Sequence, residues 1–211
     1  MKKIIFLLAA SVLGFQFASI AQTRVGLTGG VAIANLHGSE AEGGSSRAGF
    51  TAGIVLEKPI KKALAFRPAI SYIQKGKTLA HPDGTLIDEA YLALRYIEFT
   101  PDFLYYVSGN SDGGFFLGAG PSIAFNLPSK KVTVTNDLKT TSIVHFGTEN
   151  TNDMRGTDWG ANFTMGWRTK GGFLISLNYN QGLRNMVTEG STGDLKSSYF
   201  GIRLGCYLNN K

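Results

Sequence analysis

Arg95-Tyr96-Ile97-Glu98-Phe99-Thr100-Pro101-Asp102-Phe103-Leu104-Tyr105-Tyr106 alternates in character with a period of two. Its odd positions from Ile97 are apolar or aromatic (Ile97, Phe99, Pro101, Phe103, Tyr105), and Glu98, Thr100 and Asp102 lie between them. That period is a strand with one apolar and one polar face. A soluble sandwich would bury the apolar face and wet the polar one. A chain that crosses a membrane with strands would do the reverse. One strand does not choose between them.

The flanking sequence does. Seven further stretches alternate in the same way: 24–36, 48–57, 64–72, 115–126, 158–167, 173–180 and 199–208. Their connections run long, short, long, short, long, short, long, with the long ones at 37–47, 76–91, 127–156 and 184–195. Tilted strands of about ten residues cross a bilayer. An even strand number with short turns on one side and long polar loops on the other is the pattern of an outer-membrane barrel. The second faces hold mainly Gly, Ala, Ser, Thr and Asn, which suits the narrow interior of eight strands. Tyr72, Tyr105, Phe115, Phe125, Trp159, Trp167, Phe173 and Tyr179 fall near strand ends, where interfacial girdles sit. A soluble lipocalin-like barrel with its apolar face inside is the rival, but its outer face would carry too many Gly and too few Lys and Glu for solvent. The expectation is an all-β, eight-stranded antiparallel up-and-down transmembrane β-barrel.

The N-terminus agrees with export. Lys2 and Lys3 precede an apolar run from Ile4 to Phe17, and Ser19-Ile20-Ala21 offers a small-residue cleavage site before Gln22. This reads as a removed signal peptide over 1–21, leaving 22–211 as the barrel domain in the outer membrane of a Gram-negative envelope. The single cysteine, Cys206, permits no intrachain disulfide and falls on the apolar parity. No later apolar run approaches the length of a membrane helix. The net charge of +6 becomes +4 once Lys2 and Lys3 leave. The basic residues form no aromatic-studded patch, so nucleic acid is not an expected partner.

Two segments carry a family resemblance. Phe66-Arg67-Pro68-Ala69-Ile70-Ser71-Tyr72-Ile73-Gln74-Lys75-Gly76 is similar to the "RPEL-Y-QKG" strand, and Tyr96-Ile97-Glu98-Phe99-Thr100-Pro101 to the "YIEIP" strand, of the PorT-like outer-membrane β-barrel family of Bacteroidetes. Gly118-Ala119-Gly120-Pro121 and Asn178-Tyr179-Asn180-Gln181-Gly182-Leu183 extend the resemblance over essentially the whole mature chain. Ala69 stands where that family usually has Glu, and Thr100 interrupts its usual Ile-Pro junction. The resemblance implies a barrel without assigned enzymatic activity. The family's namesake serves protein secretion and gliding, so an accessory role in secretion is one expectation. Outer-membrane lipid and the barrel-assembly machinery are expected partners, the latter reading Gly205-Cys206-Tyr207-Leu208 because the chain ends Leu208-Asn209-Asn210-Lys211 without a terminal aromatic.

Candidate residues follow from parity. Arg67, Glu98, Asp102, Arg168 and Arg203 share the lumen face, where unpaired charge is costly. They are expected to form a plugging ion network centred on Glu98 with Arg67, and a small-solute pore is the alternative. Pro68, Pro101 and Pro121 fall on the lipid parity of three consecutive strands and are expected to form a band at one depth, either as local bulges or as a weakened wall that meets a partner. Segments 131–136 and 141–146 read as a hairpin around Asp137-Leu138-Lys139-Thr140, a candidate edge for a protein partner at the long loops. His37, His81 and His145 all lie in long loops without a nucleophile-base pairing, so no enzyme is expected. No metal-ligand spacing appears, and Gly118-x-Gly120 sits inside a strand, so no cofactor is expected.

Overall fold

The structure, a computed structural model, describes residues 23–41, 43–79, 87–149, 151–189 and 192–209. The expected signal peptide at 1–21 and His81 lie outside these. The strands are β1 (Arg24–His37), β2 (Ser45–Lys61), β3 (Leu64–Thr78), β4 (Ile87–Tyr106), β5 (Gly114–Thr135), β6 (Leu138–Val144), β7 (Thr157–Arg168), β8 (Phe173–Gly182) and β9 (Lys196–Tyr207). Each pairs antiparallel with its neighbours. β9 returns to β1, with Val31 opposite Ile202, and closes an eight-stranded ring that leaves out only β6. A barrel wall has no open edge, which lipid requires because it offers backbone groups no hydrogen bonds.

The faces are inverted relative to a soluble barrel. Ile54, Ile70, Phe103, Phe163, Trp167 and Leu204 are all exposed on the outer wall, and Cys206 joins them. Inside, Arg67, Glu98, Asp102, Asn162 and Arg168 are buried. The lipocalin-like arrangement needs the opposite orientation. Outward aromatics form a lower row, with Phe115 opposite Trp167, and an upper row that includes Phe125, Phe50 and Tyr72, the last two with stacked rings 5.1 Å apart.

The wall is taller on one side than the sequence pattern suggests. β4 has 20 residues and β5 has 22, against 12 in β7 and 10 in β8. Leu127-Pro128 reads as the end of the fifth strand, yet β5 continues past it. The register shifts there, Arg95 pairing Leu127 and Ala93 pairing Lys130, so the proline sits in a bulge. Ser129 Oγ accepts the Arg95 N–H at 2.9 Å and repairs the broken ladder. The hairpin turn also falls earlier than expected. Asn136 and Asp137 have φ of 48° and 63°, the pair of positive values a two-residue type I′ turn requires, so β6 begins at Leu138 and runs as a direct continuation of the β5 wall.

If the outer wall faces hydrocarbon, Ile202→Arg near the middle of β9 should destabilise the barrel by about 2–4 kcal/mol. Urea titration of folded and unfolded gel forms in phospholipid vesicles would measure this, and an unchanged midpoint would contradict the orientation.

Candidate functional site

Charged and hydroxylated side chains fill the interior in three levels, each supplied by several strands. At the short-turn end Glu57 of β2 is fully buried and is the hub. Tyr106 Oη donates to both its carboxylate oxygens at 3.0 Å, and Tyr207 Oη donates at 2.7 Å. Arg24 Nη1 and Arg168 Nε lie 3.3 and 3.6 Å from Glu57 Oε1. Both arginines also donate to the Ser111 carbonyl, which the β4–β5 turn tucks beneath the barrel.

The middle level is built on Asp102. Asn162 Nδ2 donates to both carboxylate oxygens at 2.9 Å, and Arg67 approaches to 3.9 Å while donating to Thr164 Oγ1 at 3.1 Å. The Arg67 guanidinium also lies over the Phe116 ring at 4.8 Å. A cavity of ≈ 10 Å³ beside Arg67, Asp102 and Arg203 is the space left there, about that of one water.

The upper level joins Glu98, Lys75 and Asp158. Lys75 Nζ stands 3.4 Å from Glu98 Oε2 and 3.1 Å from Asp158 Oδ2, and Ser197 Oγ donates to Asp158 at 2.5 Å. Tyr199 Oη donates to Glu98 Oε1 at 2.5 Å, and Arg203 Nη2 lies 3.9 Å from the same oxygen.

All five expected lumen residues therefore face inward, but their partners differ from the expected scheme. Arg67 does not pair with Glu98. The β3–β4 register sets Arg67 directly opposite Asp102 and places Ser71 opposite Glu98. Glu98 is held instead by Lys75, Arg203 and Tyr199, and Arg168 belongs to the Glu57 hub. Arg24, Glu57, Lys75 and Asp158 are members that the parity argument did not single out. The first two and Asp158 stand on lumen positions of their strands, and Lys75 lies two steps beyond Ile73 on the same face.

The mouth at the long-loop end is covered. Met154 and Met186 from two loops are buried against Leu36, Ile73, Leu94 and Tyr96. Arg155 N donates to the Met186 carbonyl and Arg155 Nε to the Val187 carbonyl, both at 2.8 Å, and tie the two loops together.

The prolines do form a row. Pro68 is paired opposite Pro101, and the β4–β5 register on either side (Phe99 with Ile123, Phe103 with Ala119) sets Pro121 opposite Pro101. No register shift accompanies them, so they are interruptions of the ladder and not bulges. Pairing lapses between Phe99 and Phe103 of β4 on the β5 side, where both prolines lack the N–H that would have bridged it.

His37 Nε2 is 3.3 Å from Gln181 Nε2, and His145 contacts Asp153 on the surface. Among the described residues no group of three His, Cys, Asp or Glu is placed to hold a metal ion.

A family model described as outer membrane protein beta-barrel domain matches residues 17–188. No curated protein sequence matches the chain. Among solved structures the chain is similar to Ail, the attachment invasion locus protein of Yersinia pestis, with a TM-score of 0.51 and 11% identity over 88% of this chain and 98% of that one. It is also similar to Neisserial surface protein A, with a TM-score of 0.48 and 11% identity over 86% and 96% of the two chains. At such identity the likeness to Ail is one of fold.

The middle level lends itself to a thermodynamic cycle. Asp102→Leu leaves the Arg67 guanidinium buried without its carboxylate and should cost about 3–5 kcal/mol. The double variant Arg67→Met/Asp102→Leu should recover most of that loss in the same vesicle unfolding assay. Additive losses would mean that the two side chains do not act as a pair.

Proposed function

Because the chain belongs to the outer membrane protein beta-barrel domain family, and is an outer-membrane barrel, we propose that it works as a non-conducting structural and interaction component of the envelope, with the long-loop end as its working surface. The observation that carries this reading is the interior itself. Four buried carboxylates (Glu57, Glu98, Asp102, Asp158) and five of the six buried cations of the described residues (Arg24, Arg67, Lys75, Arg168, Arg203) are interlocked across the barrel, with Arg24 also reaching Asp112. A pore needs water-filled width, whereas here each level is spanned by side chains from several strands. Catalysis has no place in the reading, since neither described histidine stands in a nucleophile-base arrangement.

The partner surface we favour is the tall β4–β5–β6 wall. β6 pairs with β5 along one edge and ends the sheet on the other, with Leu138 and Ile143 exposed. Such an edge suits an added strand from a partner. The Phe66–Gly76 and Tyr96–Pro101 segments further favour a PorT-like assignment within the family, from a Bacteroidetes source, and with it an accessory role in secretion. The proline row is a second place where the wall is weakened and could meet a partner within the bilayer.

Planar-bilayer recording tests the central claim. The wild-type barrel should insert silently, while Glu98→Gln, which removes the charge shared by Lys75 and Arg203, should admit intermittent ion flow. Steady wild-type conductance that Glu98→Gln leaves unaltered would overturn the plug.

A further inference from the structure

A second polar cluster lies outside the lumen, on the outer wall where β2, β3, β4, β5 and β6 rise above the upper aromatic row. A cavity of ≈ 330 Å³ there is lined by Arg47, Arg95, Lys130 and Lys139, and no carboxylate contributes to its lining. Among the described residues Glu89 is the one acid paired with any of the four, 3.8 Å from Arg47 Nη1, and Arg47 also stacks over the Tyr91 ring at 3.6 Å. The side chains of Arg95, Lys130 and Lys139 have no hydrogen-bonding or ionic partner among the described residues. Four cations gathered with so little compensation mark a place for an anion.

The depth of the cavity follows from register. Tyr72, Ile97 and Phe125 are cross-strand neighbours in the upper outward row. One pair higher, Gln74, Arg95 and Leu127 are cross-strand neighbours in turn. Arg95 therefore leaves the wall immediately above the apolar belt, at headgroup level, on the side of the long loops that faces out of the cell in such barrels. Two irregularities shape the hollow at that depth. The β2–β3 register shifts between Ser46 and Thr51, and the β4–β5 register shifts between Ala93 and Arg95. Bulges of this kind bend a strand and re-aim its side chains. Here they flank the cavity and turn Arg47 on one side and Arg95 with Lys130 on the other towards a shared space. Gly49, whose Cβ would stand 2.6 Å from the Gln74 carbonyl oxygen, lets β2 approach β3 closely enough to form the floor.

We propose that this cavity is a binding site for a phosphoryl group, presented by the phosphorylated headgroup of an outer-leaflet glycolipid or by a soluble sugar phosphate. Guanidinium groups bind phosphate oxygens in bidentate fashion, and the two lysines add mobile positive charge. The volume accommodates a phosphorylated sugar ring, within the usual range for small-ligand sites. Lys75 of the lumen network also borders the cavity, but the four cations named above stand outside that network, and the proposal does not depend on whether the barrel conducts.

The test uses the folded mature barrel in phosphatidylcholine nanodiscs, with lipid A or its fully dephosphorylated form doped in, and native mass spectrometry to count retained lipid. Binding of glucose 1-phosphate to the barrel in uncharged detergent, read by calorimetry, forms the second arm. Arg95→Gln/Lys130→Gln is the disrupting variant. Lys131→Gln is the control, because that side chain lines a separate hollow on the other side of β5. Heat-modifiable gel migration confirms that each variant is folded. Selective retention of lipid A over its dephosphorylated form, weakened about tenfold in the double variant and unchanged in the control, supports the site with a lipid source. Glucose 1-phosphate binding with the same variant dependence, without lipid selectivity, supports it with a soluble source. Equal retention of both lipids with no sugar phosphate binding, or binding that the double variant leaves intact, overturns it.

Discussion

Lipid leaves a protein wall to satisfy its own backbone. Every N–H and C=O that faces hydrocarbon must find its partner within the wall, so the strands have to close into a ring. In this chain closure is made by β9 returning to β1 over a continuous run of pairs from Gly26–Tyr207 to His37–Lys196. The inversion of polarity follows from the same demand. With apolar side chains committed to lipid, the charges on the membrane-spanning part of the wall are turned into a narrow lumen. Charges there must neutralise one another, and the hydroxyls of Tyr106, Tyr199 and Tyr207 supply the donors that guanidinium groups alone do not reach. The proline row shows how far the demand can bend. The β4–β5 ladder lapses over the three residue pairs between Phe99–Ile123 and Phe103–Ala119, and pairing resumes on both sides of the gap in the same register.

Alternation made the fold legible, because a period of two and the rhythm of long and short connections depend on nothing outside the sequence. Face assignment was legible for the same reason, and it placed Arg67, Glu98, Asp102, Arg168 and Arg203 inside. Partner assignment was not. Glu98 and Asp102 share a parity and lie four residues apart, so both are eligible for Arg67 until the register is known. β3 and β4 are joined by a long connection, and no tight turn fixes their offset. Lys75 lies past Tyr72, where the clear alternation in the sequence stops, whereas β3 continues to Thr78. The length of β5 was hidden by Pro128, ordinarily a strand terminator, whose cost the Ser129 hydroxyl offsets by accepting the Arg95 N–H.

The two halves of the wall divide the labour of the barrel. β7 begins and β8 ends near the upper girdle, and the loops that adjoin them there fold inward, with Met154 and Met186 buried over the lumen mouth. β4 and β5 run roughly ten residues further than these strands, about 30 Å of additional strand at the usual rise. Most of that excess wall stands clear of the apolar belt and of the ring's membrane-spanning part. Leu92 and Val144 pack into the mouth cluster, and the basic residues that the lumen could not have tolerated unpaired are concentrated around the extension: Arg47, Arg95, Lys130 and Lys139 on one side and Lys131 on the other. In the proposed reading the lumen network separates the two ends of the barrel, and recognition at the cell surface would then be carried by what stands above the membrane. The taller half-wall, with its bulges, its basic hollow and β6 at the end of the sheet, is the surface that reading assigns to it.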